Sequence, residues 1–152
     1  QGWDCCFSRG GEDPAKCAAI TAIISREPLG EKDAIEVQEN KKVRSFAAAR
    51  IGRTWLVSCH VPHEEAPKKK GEAKGGNVEV AERVVRQLAG RLLGAESSPG
   101  AALAAGGDFN ADVREVAARL ATGVPRMATL HLSASVTQLG STEPIDGVLL
   151  LR

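Results

Sequence analysis

The sequence predicts an α/β (α+β) domain with helices packed outside sheets, and three observations carry that prediction. Short β-leaning apolar runs recur between turn residues, as in CAAITAIIS, TWLVSCH and IDGVLLL. One long segment, NVEVAERVVRQLAGRLLGA, repeats its apolar residues at helical spacing. Strands interleave with two helices rather than following one another in a single block.

The first sixteen residues, with Gly2, Gly10, Gly11 and Pro14 among charges, read as loop with at most a short ordered piece. CAAITAIIS, from Cys17, suits a buried strand closed by the turn residues Arg26-Glu27-Pro28-Leu29-Gly30. DAIEVQE alternates apolar and polar side chains as a half-exposed strand does. VRSFAAARI and TWLVSCH, split by Gly52-Arg53, fit a hairpin, although the alanines of the first also favour a helix. Residues 61–76 shift to Pro, Lys, Glu and Gly, a solvated loop carrying Lys68, Lys69, Lys70 and Lys74. The helix that follows places Val80, Val84, Leu88 and Leu92 on one face, with Asn77 as N-cap and Gly94 as stop. AALAAGG is a buried strand, a second helix runs from about Asp112 to Ala121, and strands near Met127–Ser133 and at IDGVLLL complete the series.

A chain of 152 residues supports one core, so residues 1–152 are read as a single, partial domain. Its 20 Lys+Arg and 19 Asp+Glu leave a net charge of +1, so no global field points to nucleic acid, a membrane or an acidic substrate. No apolar run is long enough to span a bilayer, and the opening residues lack the order of a signal peptide. The first residue, Gln1, is not a Met, which suggests a trimmed chain or an excised region. Cys5, Cys6, Cys17 and Cys59 lack zinc-site spacing and read as reduced, structural thiols.

The chemistry concentrates in AALAAGGDFNAD, where a buried strand ends in two glycines and delivers Asp108 and Asn110 onto a loop. A rigid strand holds position while the loop exposes polar groups. Asp108 can hold a metal or take a proton from water, and Asn110 can donate to a phosphate oxygen. The same two residue types also build turns and cap helices. His60 ends one apolar strand and Asp146 opens another; either alone is equally a structural or turn residue.

In chain order these blocks resemble the endonuclease/exonuclease/phosphatase superfamily, in its deoxyribonuclease and cytolethal distending toxin nuclease branch. AIISREPLG resembles a family strand and turn, VRSFAAARIGRTWLVSCHVPH its paired strands ending in histidine, and STEPIDGVLL its Ile-Asp strand. GGDFNAD matches the specific Gly-Asp-Phe-Asn signature. The resemblance runs from about Ala19 to the end and implies a four-layer sandwich, two sheets face to face flanked by helices. It implies a metal-dependent phosphodiesterase, most often a DNA endonuclease, that uses Mg²⁺ or a similar divalent cation. By resemblance, His60, Asp108, Asn110 and Asp146 are catalytic, Arg44 and Asn110 bind phosphate, and Asp108 is a metal ligand whose companions lie outside this chain.

The sequence also departs from the family pattern. A Ser-Asp-His motif after Asp146 and an early strand with a Gln-Glu motif are missing, and Gln38-Glu39 stands in the wrong order to supply the latter. Gly147 occupies a position where an aromatic residue or His usually packs. Two further readings follow: a catalytically inactive remnant serving as a binding or structural module, or a phosphatase or sphingomyelinase member of the superfamily. A third is an unrelated α/β domain with chance matches.

Overall fold

The computed structural model describes residues 2–8, 21–39, 42–62, 76–94, 100–123, 129–131 and 146–151. Along the chain these form β1 (Asp4–Phe7), β2 (Ala22–Ser25), β3 (Lys32–Glu39), β4 (Lys42–Ile51), β5 (Thr54–His60), α1 (Gly76–Leu92), β6 (Ala102–Asp108), α2 (Val113–Gly123), β7 (Thr129–His131) and β8 (Asp146–Leu151). The predicted α+β class holds. Strand β1 adds an element to a stretch read as mostly loop, and α1 begins at Gly76, one residue ahead of the expected cap. Cys17 and Lys68, Lys69, Lys70 and Lys74 lie outside the described residues.

Strands β3 to β8 build one six-stranded sheet in the order β3-β4-β5-β6-β8-β7, while β1 and β2 pair antiparallel in a second, two-stranded sheet. Every pairing in the larger sheet is antiparallel except β5 with β6, which run parallel. The β4–β5 hairpin turns at Gly52, whose φ of 58° is a conformation that suits glycine. A parallel neighbour for β5 needs a crossover, and α1 lies within that crossover.

Alternation along the strands sorts side chains to two faces. Val37, Phe46, Ala48, Trp55, Val57, Leu103, Ala105, Leu149 and Leu151 turn to one face and meet Val84, Leu88, Val116 and Leu120 of the helices in the main core. The stripe read from the sequence is therefore the buried face of α1. On the opposite face Ala47 and Ala49 pack with Cys6, Leu29, Ile23 and Ile51 beneath the two-stranded sheet. Residues 46–49 are thus buried from both sides, which explains alanines in a strand: two layers press on them.

Hydrogen bonds tie the small sheet down. Thr21 accepts from the Ala47 amide at 2.9 Å, and its own amide donates to the Ser8 hydroxyl at 2.9 Å. The Asp4 carboxylate accepts from the backbone of Cys5 and Leu29 and pairs with Lys32. The described residues therefore supply three layers: helices, a six-stranded sheet and a two-stranded sheet. Among them no helix is long and apolar enough to cross a membrane.

Candidate active site

Three predicted site residues fall side by side because of strand register. His60 on β5 pairs with Asp108 on β6, and Asp108 pairs with Asp146 on β8. Neighbouring strands stand about 4.8 Å apart, so three polar side chains occupy one row across the sheet end. Two residues further into the sheet the row reads Ser58, Gly106 and Val148, in the same register. Since Val57, Cys59, Ala105 and Leu149 face the helices, alternation turns His60, Asp108 and Asp146 to the opposite face. His60 is exposed, while Asp108 and Asp146 are half-buried.

The loop after β6 brings the fourth residue to this row. Asn110 has a positive φ of 49°, and its amide donates to Asp108 Oδ1 at 2.7 Å, the short loop that aspartate side chains favour. Its side-chain Nδ2 donates to the Val61 carbonyl at 2.8 Å, and the Val61 amide donates to the Asp108 carbonyl at 2.9 Å. Val61, read from the sequence as the start of a solvated loop, is fully buried. Composition concealed this: the Pro- and Lys-rich stretch begins beside it, while its own apolar side chain continues the β5 alternation into the core.

Gly107 lets β5 and β6 approach. A Cβ there would lie 2.2 Å from the Cys59 carbonyl oxygen, and the residue's φ of 132° is one that side chains rarely adopt. The two glycines before Asp108 read from the sequence as places where backbone or a ligand can come close, and at Gly107 it is the Cys59 backbone that does so. Burial pushes the adjacent Cys59 thiol up to about 12, so it stays protonated and unreactive. Cys5, Cys6 and Cys59 are all free thiols, in keeping with the structural reading.

Asp112 caps α2, accepting from the Arg114 amide at 2.9 Å and from its guanidinium at 3.0 Å. Asp108 therefore does not cap that helix. The side-chain bond from Arg114 is the main reason the Asp112 carboxyl titrates below the usual carboxylate range.

Arg44 is not brought to the row. Two positions from Phe46 and paired with Val37, it follows their alternation to the helix-facing side, and its Nε is buried without a hydrogen-bond partner among the described residues. Gln38-Glu39 ends β3, the edge strand, with β4 and β5 between it and Asp108. Gly147 faces α2: a Cβ there would come within 3.2 Å of Val113, so α2 fills the space an aromatic would need.

A divalent cation requires several oxygen donors. Among the described residues no three His, Cys, Asp or Glu side chains gather to hold a metal, and Asp108 has one oxygen engaged by Asn110. The described residues thus do not by themselves fit a metal centre.

No protein-family model matches the sequence, and a search of curated proteins found no match. Solved structures do match. The cytolethal distending toxin of Haemophilus ducreyi superposes with a TM-score of 0.63 at 18% identity, covering 87% of this chain and 47% of the toxin chain. An endonuclease/exonuclease/phosphatase family protein from Leptotrichia buccalis C-1013-b gives a TM-score of 0.53 at 13% identity, covering 98% of this chain and 60% of that one. The chain thus spans about half the length of the structures it matches. With its six-stranded sheet and its helical layer, it carries part of the endonuclease/exonuclease/phosphatase fold.

Proposed function

We propose that the chain is the part of a phosphodiesterase, specifically a DNA endonuclease, that carries the groups handling water and phosphate. The observation that supports this most is the register of His60, Asp108 and Asp146 on three adjacent strands. Two carboxylates, an imidazole and a carboxamide suit the tasks of phosphoryl transfer: taking a proton from water, steadying charge and protonating a leaving oxygen.

In this reading Asp108 accepts the proton of the attacking water on the carboxylate oxygen that Asn110 leaves free. The exposed His60 imidazole contacts or protonates a phosphate oxygen. Asp146, beside Asp108, orients a partner group, and Asn110 offers its remaining amide proton to phosphate. Arg44 would meet phosphate only by reaching round the end of β4. A cation such as Mg²⁺ would supply charge neutralisation, with Asp108 as one ligand and the others from outside the described residues.

The test is Asp108→Asn in the whole protein, measured by plasmid nicking. Asparagine's side-chain oxygen can still accept the Asn110 amide, so the melting temperature should hold while cleavage falls about 10²–10⁴-fold. Retention of most activity would refute the assignment. The inactive-remnant reading draws support from the absence of a three-donor cluster among the described residues, and predicts no EDTA-sensitive cleavage by the whole protein. A phosphatase or sphingomyelinase would cleave phosphoinositide or sphingomyelin in preference to DNA.

A further inference from the structure

We infer that Asn110 is a positioning residue, a latch that sets where His60 stands relative to Asp108. Its side chain bridges two segments far apart in sequence: Nδ2 donates to the Val61 carbonyl, while its backbone amide donates to Asp108 Oδ1. The Val61 amide closes the circuit on the Asp108 carbonyl. Val61 is covalently joined to His60, and its side chain is fully buried in the main core. The end of β5 is therefore fixed from three sides, and His60 inherits that position.

The residue type fits this role twice over. Asparagine tolerates the positive φ of 49° better than other side chains. It also carries the N–H that a carbonyl partner demands, which aspartate lacks. Because Val61 offers an acceptor, the latch uses the carboxamide nitrogen: one amide proton is spent on it, and one proton and Oδ1 are left over. Asn110 can thus give a ligand at most one donor, aimed by the Val61 bond.

The latch rests on the proposed site only for its consequence in catalysis; the bonds themselves can be read without activity. Amide exchange and NMR on the 152-residue chain test it with two variants. Asn110→Gly keeps the backbone freedom and removes the side chain, while Asn110→Asp keeps the size and removes the donor. The latch predicts that both speed exchange of the Val61 amide about tenfold, as loss of one hydrogen bond from a locally opening segment should. It also predicts that Asn110→Gly, which changes no charge, shifts the His60 imidazole resonances. Wild-type exchange at Val61 in both variants, or unmoved His60 resonances in Asn110→Gly, would overturn it. A whole protein without nuclease activity but with these changes intact would sink the phosphodiesterase reading and leave the latch standing.

Discussion

A methyl group at position 107 would overlap the Cys59 backbone, so Gly107→Ala must either part β5 from β6 or tilt the end of β6. The residue also abandons a φ that alanine resists. Overlap with backbone, which cannot rotate away, should cost about 3 kcal/mol or more, read as a fall in urea-unfolding free energy. A loss below about 1 kcal/mol would show that the strand ends are pliant. At Asp112 the prediction concerns pH. Its carboxyl titrates lower in the folded chain than in the unfolded one because Arg114 bonds to it, so it stabilises the fold above about pH 4 and loses that contribution as pH falls through the lowered value. Asparagine at this position can still cap the helix but cannot pair with Arg114. Wild type should therefore be more stable than Asp112→Asn at pH 7, and urea midpoints measured down to pH 3 should converge.

Among the elements, helix α1 holds the layers together through Val80, Val84 and Leu88, all buried against the sheet. Leu88→Ala should cost about 2–5 kcal/mol by thermal or chemical denaturation, because the fully buried side chain would leave a cavity in the main core. Ala47→Leu should cost about 1–3 kcal/mol by overpacking beneath the small sheet. These elements differ in how far their sequences betray them. The α1 stripe and the alternation of β3 were legible because one face of each is buried and the period shows, and β5 was legible as an apolar run after a Gly-Arg turn. Strand β4 was ambiguous because both its faces are buried at 46–49, which erases alternation and leaves alanines that suit a helix equally well. Strand β1 was hidden because only Cys6 of its four residues is buried, so no repeat forms. At the site, strand ends and the Gly-Asp-Phe-Asn block marked His60, Asp108, Asn110 and Asp146. The role of Val61 depends on a contact between distant segments, which no local pattern records.

At the scale of the molecule, the small sheet covers the large one over β3, β4 and β5. Its own outer side leaves Trp3, Phe7 and Ile24 about three-fifths exposed, with Arg26 stacked 5.0 Å from the Trp3 ring. Phe7→Ser should accordingly change the unfolding free energy by less than about 0.5 kcal/mol, as measured in urea. The site row looks out from the same face of the large sheet, running from the end of β5, which the small sheet touches, across β6 and β8. Because the sequence lacks the Gln-Glu and Ser-Asp-His motifs that the family resemblance calls for, the 152-residue chain should show negligible cleavage of plasmid DNA with or without Mg²⁺. Robust EDTA-sensitive nicking by this chain would mean that other side chains complete the centre.

The parallel pairing of β5 with β6 has a kinetic meaning. Every other neighbouring pair in the large sheet meets head to tail, whereas this one requires the chain to travel through α1 before the ladder can close. His60 and Asp108 therefore become neighbours only after a long loop has been closed, an entropic toll that slows pairing. During refolding the β3–β4–β5 meander, made of local contacts, can form early, while the row at the strand ends waits for α1 to dock. The pairing that sets His60 beside Asp108 should therefore lag the hairpins of the meander, in which neighbouring strands are joined by short turns.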